Sequence, residues 1–303
     1  MDAYTLSHVY FSGLATQIGG VTNRSATYNV DVTKLGQDGL TEPRIVFANS
    51  ASPVISVATH QIATALTTLT DYGRLISGDN ETHVFFRKKS PGAGNLAGSV
   101  NIKGVMTHAH VVPQSLSANQ GGVATLNFDI LALDDGAAAQ PIVWSASNAL
   151  AGDAGSTEAF TVGKLDLLGT DYELQSIDWD FGLGTSSLSS DGGIFPKTSH
   201  YNTNTPSFRF TSYDMSLLTV IGNSGTAQVT TDSVIYLRKK AAGAGNVADA
   251  TEEHISITVA SGMWVIDSHA ASQGGESLIT FSLHANDNNS DDFLTIDTTA
   301  AIV

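Results

Sequence analysis

Two stretches of this chain, 151 residues apart, read almost alike. Val84-Phe85-Phe86-Arg87-Lys88-Lys89-Ser90-Pro91-Gly92-Ala93-Gly94-Asn95-Leu96-Ala97 aligns without gaps to Ile235-Tyr236-Leu237-Arg238-Lys239-Lys240-Ala241-Ala242-Gly243-Ala244-Gly245-Asn246-Val247-Ala248, with eight of the fourteen positions identical. Composition alone would give about one identity, and self-similarity of this kind constrains a fold before any other signal. Two further blocks keep nearly the same spacing. Ala118-Asn119-Gln120-Gly121-Gly122 matches Ala271-Ser272-Gln273-Gly274-Gly275, and Pro53-Val54-Ile55-Ser56-Val57 matches Pro206-Ser207-Phe208-Arg209-Phe210, both at an offset of 153. The pattern predicts a tandem duplication of one unit of about 150 residues, a length that can close its own core. We place the units at 1–152 and 153–303, joined through the small residues of Ala149–Ser156, which read as a short flexible joint.

Within a unit most segments read as strands. Val84-Phe85-Phe86 and Val234-Ile235-Tyr236-Leu237 are aromatic and β-branched runs, each ended by a basic triplet and a glycine turn. Thr125–Leu133 alternates apolar and polar residues over its first half and stops at Asp134-Asp135-Gly136. Leu278–His284 is its counterpart, and 105–112 and 255–259 are further candidates. Each unit also predicts one helix. Thr59–Leu69 spaces Ile62, Leu66 and Leu69 at i, i+4, i+7 behind Thr59 as a possible N-cap, and Thr211–Ile221 turns Met215, Leu218 and Val220 inward. The expected class is therefore mainly β: two tandem, homologous β-sandwich or barrel domains, each with one flanking α-helix and four or so strands after it.

Composition narrows the function. With no cysteine among 303 residues, disulfide frameworks, thiolate metal sites and thiol catalysis fall away. The opening Met1-Asp2-Ala3-Tyr4-Thr5 lacks a basic and then apolar leader, so no secretory signal is expected, and no run approaches the ~18 apolar residues of a membrane helix. Only 14% of residues are charged. A surface built from Ser, Thr, Asn and Gly suits strands, turns and burial in an assembly. The net charge of −15 opposes nucleic-acid binding by phosphate neutralisation, yet suits a surface that nucleic acid slides past. The charge is uneven: residues 1–150 carry 10 acidic and 8 basic groups, residues 151–303 carry 19 and 6.

No catalytic signature stands out. There is no Gly-x-Ser-x-Gly and no His-Glu-x-x-His. In the paired elements Arg87-Lys88-Lys89…Gly92…Gly94-Asn95 and Arg238-Lys239-Lys240…Gly243…Gly245-Asn246 the basic residues precede the glycines and no Gly-Lys-Ser/Thr follows. A strand-end hairpin or an inter-subunit contact fits them better than a phosphate cradle. His108 and His110 would share a strand face and could grip a metal, but the second unit has no such pair and no third ligand announces itself. Asp287–Asp292 partly imitates a calcium loop but lacks its glycine and distal glutamate. No catalytic residue, metal or cofactor is expected.

Two tandem β-units with one helix each, low charge, abundant Gly, Ser, Thr and Ala, no cysteine and no catalytic motif resemble the major tail tube proteins of long-tailed bacteriophages, including their duplicated two-domain form. The resemblance lies in organisation and spans the whole chain. It implies a virion protein made in the host cytoplasm, no membrane, and a structural role. Copies would stack as rings, with three duplicated chains making a pseudo-hexamer around an acidic lumen through which DNA passes unbound. It implies as partners the protein itself and other virion proteins. The two Arg-Lys-Lys/Gly-x-Gly-Asn elements would serve as contacts between subunits or rings. The alternatives are a double-barrel capsid or cement protein and, from another class, a secreted carbohydrate-binding or adhesin module, which would need exposed aromatics beyond Trp144, Trp179 and Trp264.

Overall fold

The computed structural model describes residues 3–36, 41–69, 73–78, 80–90, 98–136, 140–151, 158–190, 192–222, 224–243, 245–271, 273, 275–287 and 293–303. The first half contains β1 (Ala3–Phe11), β2 (Thr16–Ile18), β3 (Val21–Thr27), β4 (Asp31–Leu35), β5 (Ile45–Ser50), β6 (Val54–Thr59), α1 (Ile62–Leu69), β7 (Arg74–Ile76), β8 (Thr82–Lys89), β9 (Asn101–Met106), β10 (His108–Asn119), β11 (Thr125–Leu133) and β12 (Val143–Asn148). The second contains β13 (Phe160–Leu167), β14 (Thr170–Glu173), β15 (Ser176–Asp180), β16 (Leu183–Leu188), β17 (Thr198–Asn204), β18 (Ser207–Ser212), α2 (Leu217–Ile221), β19 (Thr226–Gln228), β20 (Ser233–Lys239), β21 (His254–Val259), β22 (Gly262–Ala270), β23 (Leu278–Ala285) and β24 (Leu294–Ala300). The protein is mainly β; among the described residues all strand pairs are antiparallel and the two α-helices are short.

The order of elements in one half is the order in the other. β8 lies between β1 and β9 as β20 lies between β13 and β21, and β11 lies between β10 and β6 as β23 lies between β22 and β18. Even the irregularities recur: the shift after Pro113 in β10 stands where the shift after Ile266 stands in β22. Each half packs a five-stranded sheet, β12-β9-β8-β1-β2 or β14-β13-β20-β21-β24, against strands of a larger one. That larger sheet is common to both halves. Its ten strands run β19-β22-β23-β18-β15-β10-β11-β6-β3, with β7 beside β10, so the two units, each expected to close its own core, share one sheet and one apolar core. The boundary expected at 152/153 lies outside the described residues.

Alternation explains which face of this sheet is buried. Ile55 and Val57 on β6, Leu126, Phe128 and Ile130 on β11, and Phe208 and Phe210 on β18 all face the core, while Ser56, Asn127, Asp129 and Arg209 face out. In the second half the core is a run of rings. Trp179 stacks on Phe181 at 3.8 Å and on Phe208 at 5.1 Å, and Phe210 meets Phe281 at 5.1 Å and Trp264 at 5.6 Å. Trp179 and Trp264 are buried, which removes them from any surface of the adhesin kind.

Several sequence expectations are corrected. Helix α1 begins at Ile62 rather than directly behind Thr59, which closes β6; the Thr59 hydroxyl donates to the Gly19 carbonyl at 2.5 Å and accepts from the Gln61 N–H at 3.0 Å ahead of the helix, and Ile62, Leu66 and Leu69 are buried as the spacing predicts. Helix α2 is only five residues long. Thr211 and Ser212 stay in β18, paired to Thr280 and Ile279, and Leu217 and Ile221 are the residues turned fully inward. Met215, Leu218 and Val220 pack only at the margin of the core. The candidate strand 105–112 breaks at Thr107 into β9 and β10, and six strands rather than four follow α1.

Candidate assembly surface

The seam between the halves is built from both chain directions. The second part of β10 pairs with β15 in the register Ser115↔Asp180, Leu116↔Trp179, Ser117↔Asp178, Ala118↔Ile177 and Asn119↔Ser176. Beyond the ladder, the Gln120 N–H donates to the Gln175 carbonyl at 2.8 Å, the Ala124 N–H to the Phe160 carbonyl at 2.7 Å, and the Thr161 hydroxyl to the Asn119 carbonyl at 2.9 Å. Thr67 on α1 meets Thr298 on β24 at 3.1 Å. Leu116 and Trp179, opposite one another, are both fully buried. Burying side chains of that size contributes about 1.5–3 kcal/mol each.

An arm strengthens the seam. The β16–β17 hairpin of the second half reaches back over β10 of the first. His110 Nδ1 lies 2.8 Å from the Ser199 hydroxyl, the Tyr201 ring stands edge-on to His110 at 4.7 Å, and the Asp134 N–H donates to the Pro196 carbonyl at 2.8 Å. Burial holds the His110 pKa below the usual imidazole value and pushes that of Tyr201 up to about 12. The two histidines weighed as a metal pair are thus divided: His110 serves the seam, and among the described residues no cluster of three or more potential ligands is present.

The same strands exist a second time, and among the described residues their outer edges carry no strand partner at the matching positions. By strand pairing, β3 corresponds to β15 and β22 to β10, each at an offset of 153. Yet β3 is the last strand of the ten-stranded sheet, and Ser268, His269 and Ala270 of β22 pair only with β23. His269 is exposed where Leu116 is buried, and Ala26 is exposed where Trp179 is buried. The counterparts of the two seam strands thus lie toward opposite ends of the sheet.

The outward face of this sheet is polar and, toward the second half, acidic. Around the seam it forms an open groove of about 850 Å³ lined by Ser115, Ser117, Asp178, Asp180, Asp267 and Ser282, among others. Arg209 stands 3.6 Å from Asp267, whose carboxylate also accepts from the Ser282 hydroxyl at 3.0 Å.

The basic triplets lie on strand ends of the five-stranded sheets rather than in loops. Arg87, Lys88 and Lys89 belong to β8, and Arg238 and Lys239 to β20. Arg238 pairs with Asp249 at 2.9 Å and Lys239 with Glu253 at 2.8 Å, so these two cations are engaged within the chain. Lys240 bridges to Asn246, and the Ala241 N–H donates to the Gly245 carbonyl at 2.9 Å, closing a tight hairpin through Gly243 at φ 70°. Gly92, Gly94 and Asn95 lie outside the described residues, as does 288–292 of the calcium-like stretch. Sequence reading missed the seam and its open counterparts, although Gln120 and Gln273 in the second repeated block were pointers to them. No protein-family model and no curated protein sequence matches the chain.

Proposed function

We propose that this protein is a virion structural protein that polymerises head to tail into the rings of a phage tail tube. One observation carries the proposal: β10 and β15 make inside the chain a seam whose counterparts, β22 and β3, stand open at opposite ends of the same sheet. Displacing the internal register by 153 pairs Ser268, His269, Ala270 and Ala271 of one copy with Thr27, Ala26, Ser25 and Arg24 of the next. Such a contact is heterologous, and copies joined by it close into a ring when the rotation per copy divides a full turn. Sheet edges are otherwise an aggregation hazard, and pairing them in a fixed register is the usual way of using them.

The acidic outer face of the sheet gives the ring its chemistry. With Asp129, Asp178, Asp180 and Asp267 along the lumen, a polyanion is repelled from every wall and slides without adhering. The basic strand ends at Arg87–Lys89 and Arg238–Lys240 lie off the two open edges and are assigned to contacts between rings.

Charge placement at the open edges tests the register. Changing Ser268 and Ala270 to Glu together with Ser25 and Thr27 to Glu sets like charges opposite each other and is expected to abolish assembly while the monomer stays folded. Keeping the two β22 glutamates and placing Lys at 25 and 27 is expected to restore it, since opposite charges across strands attract. Negative-stain images of the unmodified protein should show rings or tubes. Closed shells, or a protein that stays monomeric at high concentration, would reject the tube.

A further inference from the structure

The β16–β17 hairpin has a counterpart at the same place in the first half, and among the described residues no hydrogen bond ties that counterpart to a sheet face. The β4–β5 hairpin has the same pairing, including the shift at its base, and closes with the same backbone bond: Arg44 N–H to the Leu35 carbonyl at 2.9 Å, against Lys197 N–H to the Leu188 carbonyl at 2.8 Å. Its surroundings differ. Ser199 of the β16–β17 arm is 9% exposed, whereas Val46, at the matching position of β5, is 56% exposed. Val32 is exposed on the face of Val46, and Leu35, Ile45 and Phe47 are exposed on the opposite face of the same arm.

We infer that the β4–β5 arm docks on the β22 and β19 surface of a second copy of this chain, with Val46 seated on Met263. This rests on the head-to-tail ring proposed above and adds to its edge pairing a second, apolar contact. Three correspondences carry it. First, His110 of β10 matches Met263 of β22, because the facing residues Leu131 and His284 differ by the same 153. Inside the chain the pair is polar, Ser199 on His110; between chains it becomes Val46 on Met263, and Met263 is itself exposed. Both members change together from hydrogen-bonding to apolar.

Second, Tyr201 reaches Gly73, where a Cβ would come within 2.2 Å of the Tyr201 hydroxyl. Gly73 matches Thr226 and Tyr201 matches Ala48, so a large residue over a small one becomes a small residue over a larger one. Third, the Asp134-to-Pro196 backbone bond has as counterparts Asp287 and Pro43, the same residue types. A polar swap, a size swap and an unchanged backbone contact are what a shared geometry with a second set of side chains predicts.

The chain has no cysteine, so a cross-link reads this contact directly. The Val46→Cys/Met263→Cys variant, mildly oxidised, is expected to give a ladder of covalent dimers, trimers and larger species, and each single variant none. Val46→Asp is expected to raise the concentration needed for half-assembly by about tenfold or more, from the charge buried against Met263. The double exchange Val46→Ser/Met263→His, which installs the pair present in the internal seam, is expected to assemble within about threefold of the unmodified protein. Rings that form without a ladder and are indifferent to Val46→Asp overturn the arm contact and leave the ring standing. A protein that never leaves the monomer overturns both.

Discussion

The carboxylate of Glu158 accepts a hydrogen bond from the backbone N–H of Ala63 at 2.8 Å, and so the first residues of the second half cap the helix of the first. The same carboxylate takes the Thr64 N–H at 3.2 Å and the Thr64 hydroxyl at 2.5 Å. α1 has no acidic residue in its own first turn, so the donors and the positive end of the helix are satisfied across the seam.

Removing that cap should loosen the joint as well as the helix. Glu158→Ala is expected to destabilise the protein by about 1–2 kcal/mol, the usual cost of losing a charged cap, and Glu158→Gln by less. Urea unfolding of the monomer measures both, and equal stability of Glu158→Ala and the unmodified protein would remove the cap from the account.

Asn101 and His254 hold the same place in the two halves with different chemistry. Asn101 Oδ1 accepts from the Lys88 N–H at 3.0 Å while its amide donates to the Gly98 and Asn148 carbonyls at 3.1 Å. His254 Nδ1 accepts from the Lys239 N–H at 3.0 Å, and its Nε2 lies 3.0 Å from the Ala248 carbonyl, which fixes the proton on Nε2. His254→Ala orphans buried groups and is expected to cost about 1–3 kcal/mol. His254→Asn is expected to recover most of it, with thermal unfolding as the measure. A His254→Asn no better than Ala would show that ring packing, not the paired hydrogen bonds, is what matters there.

Acid should weaken the seam through His110. Burial lowers its pKa from the usual 6.5, so the folded protein prefers the neutral ring and the unfolded chain takes up the proton first as pH falls. The contribution is complete above pH 6.5 and is lost as the pH drops from there toward the folded value. Ser199 and Tyr201 face the ring, and Tyr201, raised to about 12, stays protonated throughout this range. Denaturation midpoints between pH 7.5 and 5.5 are expected to fall more steeply for the unmodified protein than for His110→Gln. Parallel slopes would assign the acid sensitivity elsewhere.

Much of the fold can be read without coordinates, and for a definite reason. The matching blocks at 84–97 and 235–248, and the alternation through Thr125–Leu133, record which residues face a core, and burial is a property of side chains. The i, i+4, i+7 spacing of Ile62, Leu66 and Leu69 is read the same way. The helix at Leu217–Ile221 was over-read because Thr211 and Ser212 suit a helix start as well as a strand end, and only pairing with Thr280 and Ile279 decides between them.

What the amino-acid order determined by itself is a mainly-β chain whose two halves carry one repeated pattern, with an acidic second half and no cysteine. The tertiary structure alone decided that β15 joins β10, that β3 and the Ser268–Ala270 end of β22 have no such neighbour among the described residues, and that one arm packs on His110 while Val46 of its counterpart is exposed. Strand edges join through backbone N–H and carbonyl groups, which are the same for nearly every residue. The pattern of side chains therefore specifies the buried face, and only the placement of the strands in space specifies the neighbour.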